Sequence, residues 1–79
     1  MRFSRHAKNS MRLYGITVAD VERVLSDPDR RDEEGKYLSA YRQFLRRFGN
    51  APLKVVYVIE EDTVIVTVYP LKQTQWRRA

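Results

Sequence analysis

Leu53-Lys54-Val55-Val56-Tyr57-Val58-Ile59, followed after Glu60-Glu61-Asp62-Thr63 by Val64-Ile65-Val66-Thr67-Val68-Tyr69, decides the fold. β-Branched and aromatic side chains dominate both runs, and they pack better on a pleated surface than against the preceding turn of a helix. The polar stretch between them reads as a turn, so the two runs form an antiparallel hairpin. With Glu61-Asp62 as a two-residue loop, Ile59 faces Val64, Tyr57 faces Val66 and Val55 faces Val68. One face is then apolar throughout: Val55, Tyr57, Ile59, Val64, Val66 and Val68. The opposite face carries Lys54, Val56, Val58, Ile65, Thr67 and Tyr69, with Lys54 opposite Tyr69. A slip of one residue would exchange the two faces.

The first third of the chain supplies a cover for the apolar face. Ser4 is a good N-cap, and Phe3, Ala7, Met11 and Tyr14 recur at helical spacing up to Gly15, which suits a left-handed stop. Thr17-Val18-Ala19-Asp20 resembles a capping box, with Ile16 and Val21 at the hydrophobic-staple positions. Val18, Val21, Val24 and Leu25 then line one face until Ser26-Asp27-Pro28 ends the second helix. Three valines make it a weak helix alone, so its stability must come from docking onto an apolar surface.

Residues 36–48 admit two readings. Tyr37, Tyr41, Phe44, Leu45 and Phe48 fit a helical stripe, which periodicity alone favours. A strand is the other, with Gly49-Asn50 and Pro52 turning the chain into Leu53. As a strand, Leu38, Ala40, Arg42 and Phe44 share one side and Tyr37, Ser39, Tyr41 and Gln43 the other.

Length and composition bound the function. Seventy-nine residues, 43% of them hydrophobic, make one small domain over 1–79 that buries a modest core. Without cysteine there is no disulfide scaffold, thiolate zinc site, iron–sulfur cluster or thiol chemistry. No apolar run approaches the length of a membrane span, and no secretory signal follows Met1, so a soluble cytoplasmic protein is expected. Fifteen basic against ten acidic residues give a net charge of +5, distributed in blocks. Arg2, Arg5, Lys8 and Arg12 precede any acid; Asp20, Glu22, Asp27, Asp29, Asp32, Glu33 and Glu34 follow; Lys36, Arg42, Arg46, Arg47 and Lys54 restore basic character. Residues 71–79 form a basic tail around Trp76-Arg77-Arg78. A small basic domain suits a phosphate-bearing polymer, and equally an Arg-rich soluble surface. Glu33-Glu34 and Glu60-Glu61-Asp62 read as solvated loop and turn carboxylates, and no metal site or cofactor motif is present.

Phe3-Ser4-Arg5-His6-Ala7, Met11-Arg12, Gly15-Ile16-Thr17, Asp27-Pro28, Leu53-Lys54-Val55-Val56-Tyr57 and Val66-Thr67-Val68-Tyr69 occur in an order and spacing that resemble the bacterial domain-of-unknown-function family four-two-five-eight. That family looks like a relative of the RelE, ParE and BrnT toxins. The resemblance implies a metal-independent ribonuclease fold and makes residues 36–48 a strand. The expected class is therefore α+β: two N-terminal helices on one face of a three-stranded antiparallel sheet, RelE-like, with an edge open to a partner strand. The implied function is a toxin-like RNA-directed domain, a metal-independent endoribonuclease acting on free or ribosome-associated RNA and covered by an acidic antitoxin.

Metal-free RNA cleavage needs a base for the 2′-hydroxyl, a cation for the phosphorane and an acid for the leaving oxygen. Lys54, Thr67 and Tyr69 share a face, and His6 is the one imidazole. These four are the candidate catalytic set. Arg42, Arg46 and Lys54 are the candidate RNA contacts. His6 equally suits a boundary residue bonded to a strand carbonyl, and Thr67 and Tyr69 are ordinary strand residues. Two other functions fit the same face: a module that binds nucleic acid or an acidic protein without turnover, and a homodimer closed over Val56, Val58, Ile65 and Tyr69.

Overall fold

The computed structural model describes residues 1–72; the basic tail beyond, with Trp76-Arg77-Arg78, lies outside the described residues. The elements run β1 (Arg2–Phe3), α1 (Arg5–Tyr14), α2 (Val18–Ser26), β2 (Arg30–Glu34), β3 (Tyr37–Gln43), β4 (Pro52–Glu60) and β5 (Asp62–Pro70). Two helices lie on one face of an open sheet ordered β1-β5-β4-β3-β2. The class is α+β as expected, but the sheet has five strands, and it is mixed because β1 runs parallel to β5. This chain itself supplies the strands flanking the expected three. Residues 37–43 are a strand, as the resemblance implies and against the helical periodicity. Tertiary pairing overrides local pattern here, since β3 lies between β2 and β4.

Both helices begin where the sequence places them. Ser4 Oγ accepts from Ala7 N at 3.0 Å, and Gly15 closes α1 in the left-handed region at φ 67°. Thr17 Oγ1 accepts from Asp20 N and Asp20 Oδ2 accepts from Thr17 N, at 3.1 and 2.9 Å, completing the capping box of α2. Ile16 and Val21, the staple pair, are both buried. Val18 departs from its expected place on the packed face and is exposed.

The hairpin register is as read from Leu53 to Val56 and shifts by one beyond it. Val56 pairs with Thr67, but Tyr57 pairs with Ile65, leaving Val66 as the extra residue of a β-bulge. The bulge reorders the expected faces. Ile65 and Val68 both enter the core, Val58 is buried, and Ile59 stands 65% exposed. Ser4 explains how the bulge is tolerated: its hydroxyl donates to Val66 O at 2.7 Å while its N–H donates to Ile65 O at 2.9 Å. One serine thus caps α1 and satisfies the irregular backbone of β5.

The core unites Ala7, Ile16, Val21 and Val24 from the helical half with Ala40, Leu53, Val55, Ile65 and Val68 from the sheet. Each fully buried valine contributes roughly 1.5–3 kcal/mol by leaving water. Side chains alternate across a strand, so the row Ala40–Val55–Val68 faces the helices. The adjacent row Arg30–Tyr41–Lys54–Tyr69 faces away from them. Glu33-Glu34, expected in a loop, are strand residues of β2, an edge exposed along its whole length.

Candidate functional site

The row on the helix-free face assembles four strands' worth of side chains around Lys54. Cross-strand pairing puts Lys54 between Tyr41 and Tyr69, and Arg30 on the far side of Tyr41. Lys54 Nζ lies 5.6 Å from the Tyr41 ring centroid, and Arg30 Cζ lies 4.6 Å from the same centroid. A ring between two cations offers its negative face to both. Asp32 takes a hydrogen bond from Arg30 at 2.7 Å, which lowers the carboxyl below its ordinary value. Burial works to lower the pKa of the half-buried Lys54, but the phenolic oxygens of Tyr69 and Tyr41 outweigh it and raise the net value. The ammonium is therefore held in its charged form. No carboxylate lies within ion-pair distance of Lys54 among the described residues.

Two shallow depressions meet at this lysine. One, about 360 Å³, is lined by Asp29, Arg30, Tyr41, Gln43, Lys54 and Tyr69, among others. The second, about 450 Å³, runs over Ser39, Tyr41, Lys54 and Val56 toward Glu34. The face has mixed charge, because Asp29, Asp32 and Glu34 border its cations. Arg5, Lys8 and Arg12 are exposed on α1, in the layer on the other side of the sheet.

The expected residues divide accordingly. Lys54 and Tyr69 are direct partners, and Thr67 is on the same face two pairs along, opposite Val56. His6 is exposed on α1 beside the buried Ala7, so the sheet separates it from Lys54. Arg42 projects to the helix side, where Nη1 donates to the carbonyl oxygen of Asp27 at 2.7 Å and to its Oδ2 at 3.1 Å. Arg46 is in the loop after β3, its N–H donating to Asn50 Oδ1. Ile65, assigned to an apolar dimer surface on this face, is instead in the core. Tyr41 and Arg30 were missed. Tyr41 follows from strand parity once β3 is accepted, whereas Arg30 needed a strand that its charged segment does not advertise.

Together these features define a small α+β domain with a lysine–tyrosine cluster on the open side of its sheet. The family model described as "Domain of unknown function (DUF4258)" matches residues 3–70, and the chain belongs to that family. No curated protein matches the chain, and no solved structure does. No helix among the described residues is long and apolar enough to cross a membrane.

Proposed function

We propose that this is a toxin-like, RNA-directed domain that receives single-stranded RNA on the helix-free face of its sheet. The observation that carries the proposal is Lys54: a half-buried ammonium between two tyrosines, with no carboxylate at ion-pair distance among the described residues, at the junction of two surface depressions. A phosphate would take its charge from Lys54, and the Tyr69 ring offers a surface on which a base can stack. The order of two helices followed by an antiparallel meander supports the RelE-like resemblance, under which an acidic antitoxin covers this face. In the catalytic form of the proposal, Lys54 stabilises the phosphorane, Tyr69 exchanges a proton with the reacting oxygens and Thr67 bonds a neighbouring phosphate oxygen.

A second reading is binding without turnover. It is favoured by the placement of His6, which leaves the Lys54 cluster without an imidazole that could serve as a base near neutral pH.

The deciding experiment is cleavage of end-labelled RNA in EDTA, with and without translating ribosomes, by the wild type and the Lys54→Ala/Tyr69→Ala variant. Metal-free cleavage that disappears in the folded variant supports the ribonuclease. Binding that weakens in the variant, with no cleavage by either, supports the second reading. RNA cleavage or affinity unchanged by the double substitution removes this face from the proposal.

A further inference from the structure

The outer edge of the sheet is a five-residue strand whose charges follow a sign pattern. β2, Arg30-Arg31-Asp32-Glu33-Glu34, pairs with β3 on one side and ends the sheet on the other. All five residues are exposed. An uncovered edge is a template for another strand, and proteins commonly blunt it with charged side chains, which repel most incoming strands and leave one of complementary charge order as the exception. This edge is basic in its first half and acidic in its second. Parallel pairing with an identical strand would set like against like at every position.

Antiparallel pairing about a two-fold axis reverses that. A closed dimer requires an axis perpendicular to the sheet, which keeps each face on its own side and places residues of the same face opposite one another. With the axis at Asp32, Arg30 lies opposite Glu34 and Arg31 opposite Glu33, each pair occurring twice. Moving the axis to Arg31 keeps Arg30 opposite Asp32 but sets Arg31 against itself and Asp29 against Glu33. Moving it to Glu33 sets Glu33 against itself, Asp32 against Glu34 and Arg30 against Lys36, with no attractive pair. The single like pair in the favoured register is Asp32 against Asp32, and each of these carboxylates is already held by its own Arg30 at 2.7 Å.

We propose that β2 is a self-recognition edge, at which a second copy of this chain adds its own β2 in antiparallel register centred on Asp32. The result is a continuous ten-stranded sheet with both Lys54 clusters on one face and both helical layers on the other. A five-residue edge buries less than a standard interface, so the dimer is concentration-dependent, with dissociation in the micromolar-to-millimolar range. This proposal does not rest on the RNA reading, because Arg31 and Glu33 project to the side of the sheet away from Lys54.

Sedimentation equilibrium of the full chain over a wide concentration range, at low and at about 1 M salt, tests it. The wild type should approach twice its 9.4 kDa mass at low salt and dissociate at high salt. Arg31→Glu and Glu33→Arg should each weaken the dimer roughly tenfold or more, because each substitution turns two attractive cross-strand pairs into repulsive ones. The double variant Arg31→Glu/Glu33→Arg restores complementarity and should dimerise again. Circular dichroism establishes that each variant is folded. A folded wild type that stays monomeric throughout, a single variant that dimerises as tightly as wild type, or a double variant that remains monomeric each overturns the proposal. A monomeric wild type would instead leave this edge to a strand of different sequence.

Discussion

Arg47 and Lys54 are both cations set against aromatic rings, and the fold treats them in opposite ways. Arg47, in the loop after β3, lies 4.7 Å from the Phe48 ring and 5.6 Å from the Phe44 ring. Its two terminal nitrogens donate to both oxygens of Asp20 at 2.7 Å, and that carboxylate is only 8% exposed. The arginine holds the Asp20 carboxyl below its ordinary value, against the opposing push of burial. Its charge is neutralised by a buried carboxylate of the same chain. Lys54, on the opposite side of the sheet, is flanked by phenols and pairs with no carboxylate among the described residues. Its charge remains open to a ligand. The difference separates a cation that builds the fold from one that can serve a function, although sequence presents both simply as basic residues among aromatics.

The Arg47 cluster also holds an unusual loop. Arg46, Phe48, Gly49 and Asn50 all have positive φ, and for a bulky residue such as Phe48 that conformation is costly. Tethering Arg47 to α2 and packing Phe44 edge-on against Phe48 at 5.7 Å keep the loop in place. The comparison therefore predicts its largest effect here. Asp20→Ala removes the paired carboxylate and half of the capping box, at a cost of about 2 kcal/mol. For a domain of this size that lowers Tm by roughly 10–15 °C, with RNA affinity unchanged, as thermal melting and a binding titration will show. The pH dependence follows from the same pair. Asp20 has a depressed folded-state pKa, so its stabilisation is present above the unfolded carboxyl value near 4 and is lost as pH falls through the lower folded value. The stability difference between wild type and Arg47→Ala should therefore be full at neutral pH and shrink on acidification below about 4. A difference that stays constant to low pH would mean that the ion pair does not stabilise the loop.

The next effect should appear on the other face, in binding rather than folding. Lys54→Met keeps an unbranched stem of nearly the same length and removes an ammonium that is partly desolvated. Folding stability should change little, because burial and the two phenols act on the ammonium in opposite directions. Single-stranded RNA affinity should fall by about tenfold, and the slope of log K against log salt should become shallower by about 0.7. A large drop in Tm with unchanged affinity would make Lys54 a structural cation like Arg47 and erase the contrast.

The legible parts of this molecule are those in which side-chain chemistry repeats or caps. The α2 capping box, the Gly15 stop and the Lys54–Tyr69 pairing all rest on local rules that the structure keeps. Hydrophobic alternation could not reveal β2, because a charged strand exposed on both faces has no apolar period to read. β1 escaped because two residues before a helix cap make no pattern at all. The Val66 bulge was invisible for a different reason: beyond Val56 and Thr67 both strands are apolar on both faces, so either register satisfies composition. Ser4, sixty-two residues away, hydrogen-bonds to the Val66 carbonyl at the point where the register shifts. Arg47 and Lys54 were likewise inseparable in sequence, since only tertiary structure brings Asp20 to one of them.

Arg42 provides the smallest effect and the sharpest check on that separation. Sequence grouped it with Lys54 as an RNA contact, but β3 parity turns it toward the helices. There Nη1 reaches the Asp27 carbonyl just beyond α2, with the Asp29 carboxylate 3.9 Å away. A cation at this position meets the negative end of the helix and satisfies a carbonyl that lacks a helical partner. Arg42→Ala should therefore cost about 0.5–1 kcal/mol and lower Tm by a few degrees. It should leave the salt slope of RNA binding unchanged, because the guanidinium is on the wrong side of the sheet. A slope reduced by about 0.7 in Arg42→Ala, with Tm unmoved, would carry the RNA path around the sheet edge onto the helical side. In that case the division between a structural and a functional cation would run through the loop after β3, where Arg46 is exposed and Arg47 is not released from Asp20.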